Sequence, residues 1–323
     1  MEVASRRADS AGVMTGRTPG SYRPRPALLS PPVKTFLQIG RGFLMGSADV
    51  VPGVSGGTVA LVLGIYERLV HAVRTGAGAL GALVRAHPIE ARRRFRDVDW
   101  RFLTPLLLGI GLAVITLASV IDHLLEEEPI NTAAAFFGLV AGSIAIAWGV
   151  VRRWTSSRLL LAAAVAIAAF GVLGLRGDEV ADPALPLFLG AGAIAIVAMI
   201  LPGISGSFIL LMLGMFEAVI AAVDDREISS LAVFLVGAVI GLALFSTVLD
   251  RLLEHHHDTV MAAMVGLMAG SLRVLWPWPD GTDTARLAAP ESILTPGLLA
   301  FGGFVVVGAL AWVVRRESKV GSR

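Results

Sequence analysis

Six stretches of the chain, roughly 102–121, 131–151, 158–176, 231–249, 259–276 and 296–314, are nearly unbroken runs of Leu, Val, Ala and Ile. Each is long enough to cross the ~30 Å hydrocarbon core of a bilayer as a helix. The glycines set within them suit close helix packing. Two longer apolar regions, 36–73 and 186–223, are interrupted by glycine and proline. As one straight helix, such a region would run about 57 Å at 1.5 Å per residue, nearly twice the core. Each is therefore predicted to fold back, as two spans or as a re-entrant hairpin of two half-helices. The glycine-proline break favours the hairpin, because backbone freed from a helix is tolerated at membrane depth only when buried in protein or facing water.

The two interrupted regions carry the same motif. Pro52-Gly53-Val54-Ser55-Gly56-Gly57 returns 150 residues later as Pro202-Gly203-Ile204-Ser205-Gly206-Ser207. At that offset Gly40, Gly42, Gly64 and Glu67 meet Gly190, Gly192, Gly214 and Glu217. Further on, at an offset of 128, Gly109, Asp122, Gly138, Gly142, Ser143 and Trp148 meet Gly237, Asp250, Gly266, Gly270, Ser271 and Trp276. The pattern is that of an internal duplication, and paired breaks in corresponding positions point to a transporter's binding site. The expected fold is an all-α polytopic membrane protein. Its first repeat would cover 36–176 and its second 177–315, each a re-entrant hairpin plus three transmembrane helices.

Three ordinary spans per half make an odd number of crossings, so the second half is expected to insert upside down. Charge placement agrees. With the N-terminus inside, 23 of the 27 Lys and Arg fall in inner segments. The outer segments hold Arg176, Arg226, Arg273 and Arg286 together with Glu126-Glu127-Glu128 and Asp224-Asp225. Only the inner segment 250–258, with a single arginine, does not follow the positive-inside rule. Residues 1–35 and 316–323 read as cytoplasmic tails, the first disordered and without a signal-peptide core. At 55% hydrophobic and 16% charged, the composition excludes a soluble domain. The absence of cysteine excludes disulfides and thiolate chemistry.

At each tip, Gly53, Gly56 and Gly57, or Gly203 and Gly206, permit backbone angles closed to other residues. Ser55 and Ser205 can cap the following helix, with Thr58 and Ser207 beside them. Free N–H groups at the positive end of a helix dipole make an anion site, for a phosphate or a carboxylate. The plain alternative is a structural hinge. Asp49, three residues before Pro52, is either a proton or cation site facing the anion or a cap for the Val54–Thr58 turn; the second copy has Met199 there. Arg41 and Glu67 flank the first tip and are expected at one depth, where they can form an ion pair; Arg41 can equally receive an anionic head group. Glu217 is the counterpart of Glu67, and either glutamate is otherwise an interfacial helix end. Asp250 reads as a helix-end cap. Neighbours on a helix diverge by about 100°, so His255-His256-His257 does not chelate a metal as a unit. No catalytic or nucleotide motif is found, and no cofactor is expected.

The run from Gly46 to Thr58, with Gly64-Ile65-Tyr66-Glu67 and the second Leu201–Ser207 copy, resembles the signature of the domain of unknown function 368 family over about 36–315. That resemblance implies a flippase returning polyprenyl (undecaprenyl) phosphate from the outer to the inner leaflet for cell-envelope polymer synthesis, with or without proton coupling. It would sit in a bacterial plasma membrane with both termini cytoplasmic. Its partners would be the carrier lipid and membrane lipids, with no nucleic acid. The rival resemblance is to undecaprenyl-pyrophosphate phosphatases, whose related motif places an arginine where Gly56 and Gly206 stand here. A transporter of a small inorganic anion is a third reading.

Overall fold

The computed structural model describes residues 31–51, 53–281 and 287–320. Residues 1–30, Pro52, Arg286 and the last three residues therefore lie outside the described residues, while 31–35, expected in the disordered tail, form the start of a helix because Pro31 and Pro32 are tolerated in a helix's first turn. The described residues form twelve helices: α1 (Pro31–Asp49), α2 (Gly56–Val62), α3 (Tyr66–Val84), α4 (Pro88–Asp97), α5 (Trp100–Glu127), α6 (Pro129–Val150), α7 (Ser156–Val172), α8 (Leu185–Ile200), α9 (Gly206–Met212), α10 (Phe216–Asp224), α11 (Ile228–Ser271) and α12 (Leu294–Val320). Four of these, α5, α6, α11 and α12, are long and apolar enough to cross a membrane. α9 and α10 together make a fifth candidate, bent by 110°. α7 and α8 are apolar but shorter, at 17 and 16 residues.

Two findings refine the expected spans. Each motif region is three helices rather than two, because a second break follows the first. Gly64 (φ +67°) ends the seven-residue α2, and Gly214 (φ +65°) ends the seven-residue α9. The segments expected at 231–249 and 259–276 are joined in α11, whose 44 residues would reach about 66 Å if straight. Hydrogen bonding runs through, but His256 leaves helical geometry (φ −133°, ψ 37°) and kinks the element there. The polar run 250–258, expected as the connection between two spans, lacks glycine and proline, so nothing in it stops the helix.

Glycines set the helix contacts. α1 crosses α5 where Gly42 meets the backbone of Leu106 and Gly109 meets that of Ile39. α8 crosses α11 through Gly192 against Phe234 and Gly237 against Leu189. α6 lies on α12 at Gly138 and Gly142, and the last part of α11 lies on α7 at Gly266 and Gly270. At Gly42, Gly109, Gly138, Gly192, Gly237 and Gly266 an added Cβ would collide with a carbonyl oxygen of the facing helix, so these crossings require glycine. Met45, Leu61, Tyr66, Val70, Phe102, Leu106 and Met268 belong to the largest buried cluster among the described residues, which draws on the helices either side of the first motif.

Candidate functional site

The two motifs, 150 residues apart in sequence, touch. The amide of Gly203 donates to Thr58 Oγ1 at 2.8 Å, with both groups buried. Ser55 Oγ lies 3.3 Å from the Met199 carbonyl and 3.2 Å from that of Leu201. The Tyr66 hydroxyl donates to the Ile200 carbonyl at 3.0 Å. Gly57 sits against the same carbonyl, which an added Cβ would approach to 2.9 Å. The turns that permit this contact rest on Gly53 (φ +82°) and Gly203 (φ +92°), a backbone region that side chains with a Cβ avoid. Gly53 also faces Val274, and Gly203 faces Met268 and Ser271, so α11 and the segment after it close the back of both tips.

Within the first tip the amides of Gly56 and Gly57 are already engaged. Ser55 caps α2 by accepting from Gly57 N at 3.1 Å. The Asp49 carboxylate accepts from Gly56 N at 2.6 Å. A carboxylate thus sits on the amide expected to receive an anion. The capping reading of Asp49 describes this geometry. The second tip is built differently: Met199 replaces the acid, Ser205 makes no cap hydrogen bond, and its hydroxyl pairs with that of Ser207 at 2.8 Å. An added Cβ on Gly206 would meet the Met199 side chain at 2.7 Å.

The flanking charges are not gathered at the tips. Arg41 is half-buried in α1, about 12 Å along the helix from Asp49, and donates to Gln38 Oε1 at 3.2 Å. Glu67, exposed at the start of α3, takes His257 Nε2 as its partner at 2.9 Å. Glu217 is exposed at the start of α10. Asp250 is not a helix-end cap: it is buried within α11, in an ion pair with Arg74 of α3 and 3.5 Å from His71. Arg158 of α7 binds Asp258 at 2.9 Å. The polar run at the kink therefore ties α11 to α3 and α7, a role the sequence reading did not assign to it.

Sequence reasoning also missed Tyr66 and the partner of Thr58. A signal existed in the differences between copies rather than in their identities. Asp49, Thr58 and Tyr66 face Met199, Phe208 and Phe216 at the same offset. All three extra polar groups lie in the first copy. One caps its own tip and two reach the backbone of the second. Among the described residues, no group of three or more acidic, histidine or cysteine side chains could hold a metal ion.

The profile of the family described as undecaprenyl phosphate translocase-like matches residues 45–292, which contain both tips. The polyprenyl-phosphate transporter of Vibrio cholerae is 42% identical over 243 residues, covering 74% of this chain and 77% of that protein. The polyprenyl-phosphate transporter of Staphylococcus aureus is 32% identical over 259 residues, covering 75% and 86%. The tetracenomycin C resistance and export protein of Streptomyces glaucescens is 26% identical over 211 residues, covering 54% and 39%. No solved structure matches the chain. With most of its length inside the profile and two transporters among its relatives, the chain belongs to the undecaprenyl phosphate translocase-like family of membrane transporters.

Proposed function

We propose that this protein moves polyprenyl phosphate from the outer to the inner leaflet of a bacterial plasma membrane, through a site formed where the two glycine-serine tips meet. The observation that carries the reading is the contact of the tips, Gly203 N to Thr58 and Ser55 to the 199–201 carbonyls, inside the region matched by a translocase family. The head group exchanges with Asp49 at the Gly56 amide, and the second tip completes the site with Ser205, Gly206 and Ser207. Arg41 lies on the approach. Glu67 and Glu217 are helix-end carboxylates at the two mouths rather than ligands.

The frame we propose is an inverted repeat, with boundaries near 36–176 and 177–315 and both termini cytoplasmic. Its support is the matching of glycine contacts at the sequence offsets: the α1–α5 crossing corresponds to α8–α11, and α6–α12 to α11–α7. On this reading α7 and α12, the last helix of each half, pack on the opposite half. Such an interlocked pair of oppositely inserted units suits alternating access around a fixed midplane site. A hydrolytic reading is disfavoured because Gly56 and Gly206 stand where the phosphatases carry their phosphate-binding arginine.

The test is head-group capture by glycine variants. Gly56→Val would drive a side chain into the Asp49 carboxylate, and Gly206→Val into Met199 and the Ala195 carbonyl. Photo-crosslinking of a polyprenyl phosphate probe should be lost in folded protein carrying either change. Retention of wild-type crosslinking in both would overturn the site.

A further inference from the structure

Beside the first tip lies a cavity of about 110 Å³. Asp49, Gly57 and Tyr66 border it from the first motif region, Met199 and Ile200 from the end of α8, and Ser246 from α11. The volume is far above the roughly 10–15 Å³ that admits one water and well below the ~300 Å³ or more of a pocket for a sizeable organic ligand. An isoprenoid chain does not fit.

Met45, Leu69, Val70 and Val73 make much of the wall apolar, and the few polar groups in it have one sign. Among the described residues, Asp49 and Tyr66 are the only titratable ones bordering the cavity, and no Lys, Arg or His borders it. Tyr66 has committed its proton to the Ile200 carbonyl, so its remaining capacity is as an acceptor. The Met199 and Ile200 carbonyls stand at the C-terminal end of α8, the negative end of its dipole. Asp49 spends one carboxylate oxygen on Gly56 N and has lone pairs left over. Ser246 is the decisive residue. It is fully buried, and its hydroxyl has no hydrogen-bond partner, a state costly enough that it calls for an occupant. The neighbouring Thr247 does what serines and threonines in helices usually do and bonds back to the Ala243 carbonyl. Ser246 does not.

We propose that this cavity is a site for one monovalent cation, an alkali-metal ion or a hydronium, held by Asp49 and Ser246 with the α8 carbonyl end. All-oxygen ligands with a single formal negative charge match a hard, singly charged ion and leave the occupied site neutral. The site shares Asp49 with the first tip. A head group taking the Gly56 amide frees the whole carboxylate for the cation, so the two ligands bind together and their charges offset. That coupling rests on the transport reading above; the cation site itself does not.

The experiment therefore measures cation binding without lipid substrate. The purified full chain is placed in nanodiscs, and choline chloride is replaced by LiCl, NaCl or KCl at constant ionic strength across pH 6–9, with melting temperature and ²²Na⁺ binding as readouts. Wild type should show a saturable stabilisation by one alkali ion, or, for a hydronium, a stabilisation on acidification independent of the salt. Ser246→Ala should weaken the cation response about tenfold while leaving cation-free stability unchanged or higher, since an orphaned hydroxyl is removed. Asp49→Asn should abolish the response, and Thr247→Ala should leave it intact. A wild type indifferent to both alkali ion and pH, or a Ser246→Ala protein with the wild-type response, overturns the site. Loss of lipid transport reading with cation binding retained would count against the function above and not against this site.

Discussion

Replacing Thr58 by valine removes one oxygen from the join between the tips and almost no volume. In the structure that oxygen receives the Gly203 amide at 2.8 Å, and Thr58 is 2% exposed. Valine would leave the amide buried with a methyl group in front of it. Stranding a buried donor costs about 1–3 kcal/mol. Water cannot readily repair the loss, because Gly203 is itself enclosed by Met268 and Ser271. Thr58→Ser is the matched comparison: it keeps the acceptor and gives up one methyl, at about 0.8 kcal/mol. Valine should therefore be the more damaging change by about 1–2 kcal/mol despite its closer fit. The six tryptophans allow unfolding of both variants to be followed by intrinsic fluorescence in denaturing detergent. The same pair should rank alike in transport, since the hydrogen bond fixes the tips relative to each other. A Thr58→Val protein as stable as Thr58→Ser would refute the claim that this bond holds the tips together.

Ser55→Ala should cost about 1–2 kcal/mol more than Ser205→Ala, since Ser55 both caps α2 and reaches the Met199 and Leu201 carbonyls while Ser205 pairs only with Ser207; equal melting temperatures would contradict the asymmetry. Gly138→Ala should separate α6 from α12 and lower stability sharply, whereas Gly302→Ala on α12, with nothing near an added Cβ, should be neutral or slightly stabilising, as measured by thermal melting of the two variants. On this cysteine-free chain, Glu127→Cys should react with an impermeant maleimide from outside the cell; labelling from the cytoplasm alone would reverse the proposed orientation.

The helices and tips were legible because they are local. Apolar runs mark α5, α6 and α12, and Gly53 and Gly203 mark turns that only such residues make cheaply. The shared glycine spacing of the two motif regions was legible because Gly42, Gly109, Gly192 and Gly237 stand at helix crossings that tolerate no side chain. Hidden from sequence were the contacts between the copies. Nothing near Tyr66 announces that its hydroxyl will reach Ile200, and nothing near Ser246 announces that its own will be left over. The His256 kink was hidden for another reason. A charged run inside apolar sequence suggests a loop, yet here its side chains are satisfied by α3 and α7, so the helix continues through it.

We propose above that the joined tips carry a lipid phosphate across the bilayer without hydrolysing it. Reconstitution of the purified chain into liposomes with labelled polyprenyl phosphate, scoring leaflet exchange and free phosphate in the same sample, tests it most directly. Exchange should depend on the protein, be lost in Gly56→Val and Gly206→Val, and proceed with no phosphate released. Phosphate release, or leaflet exchange no faster than in protein-free liposomes, would contradict it.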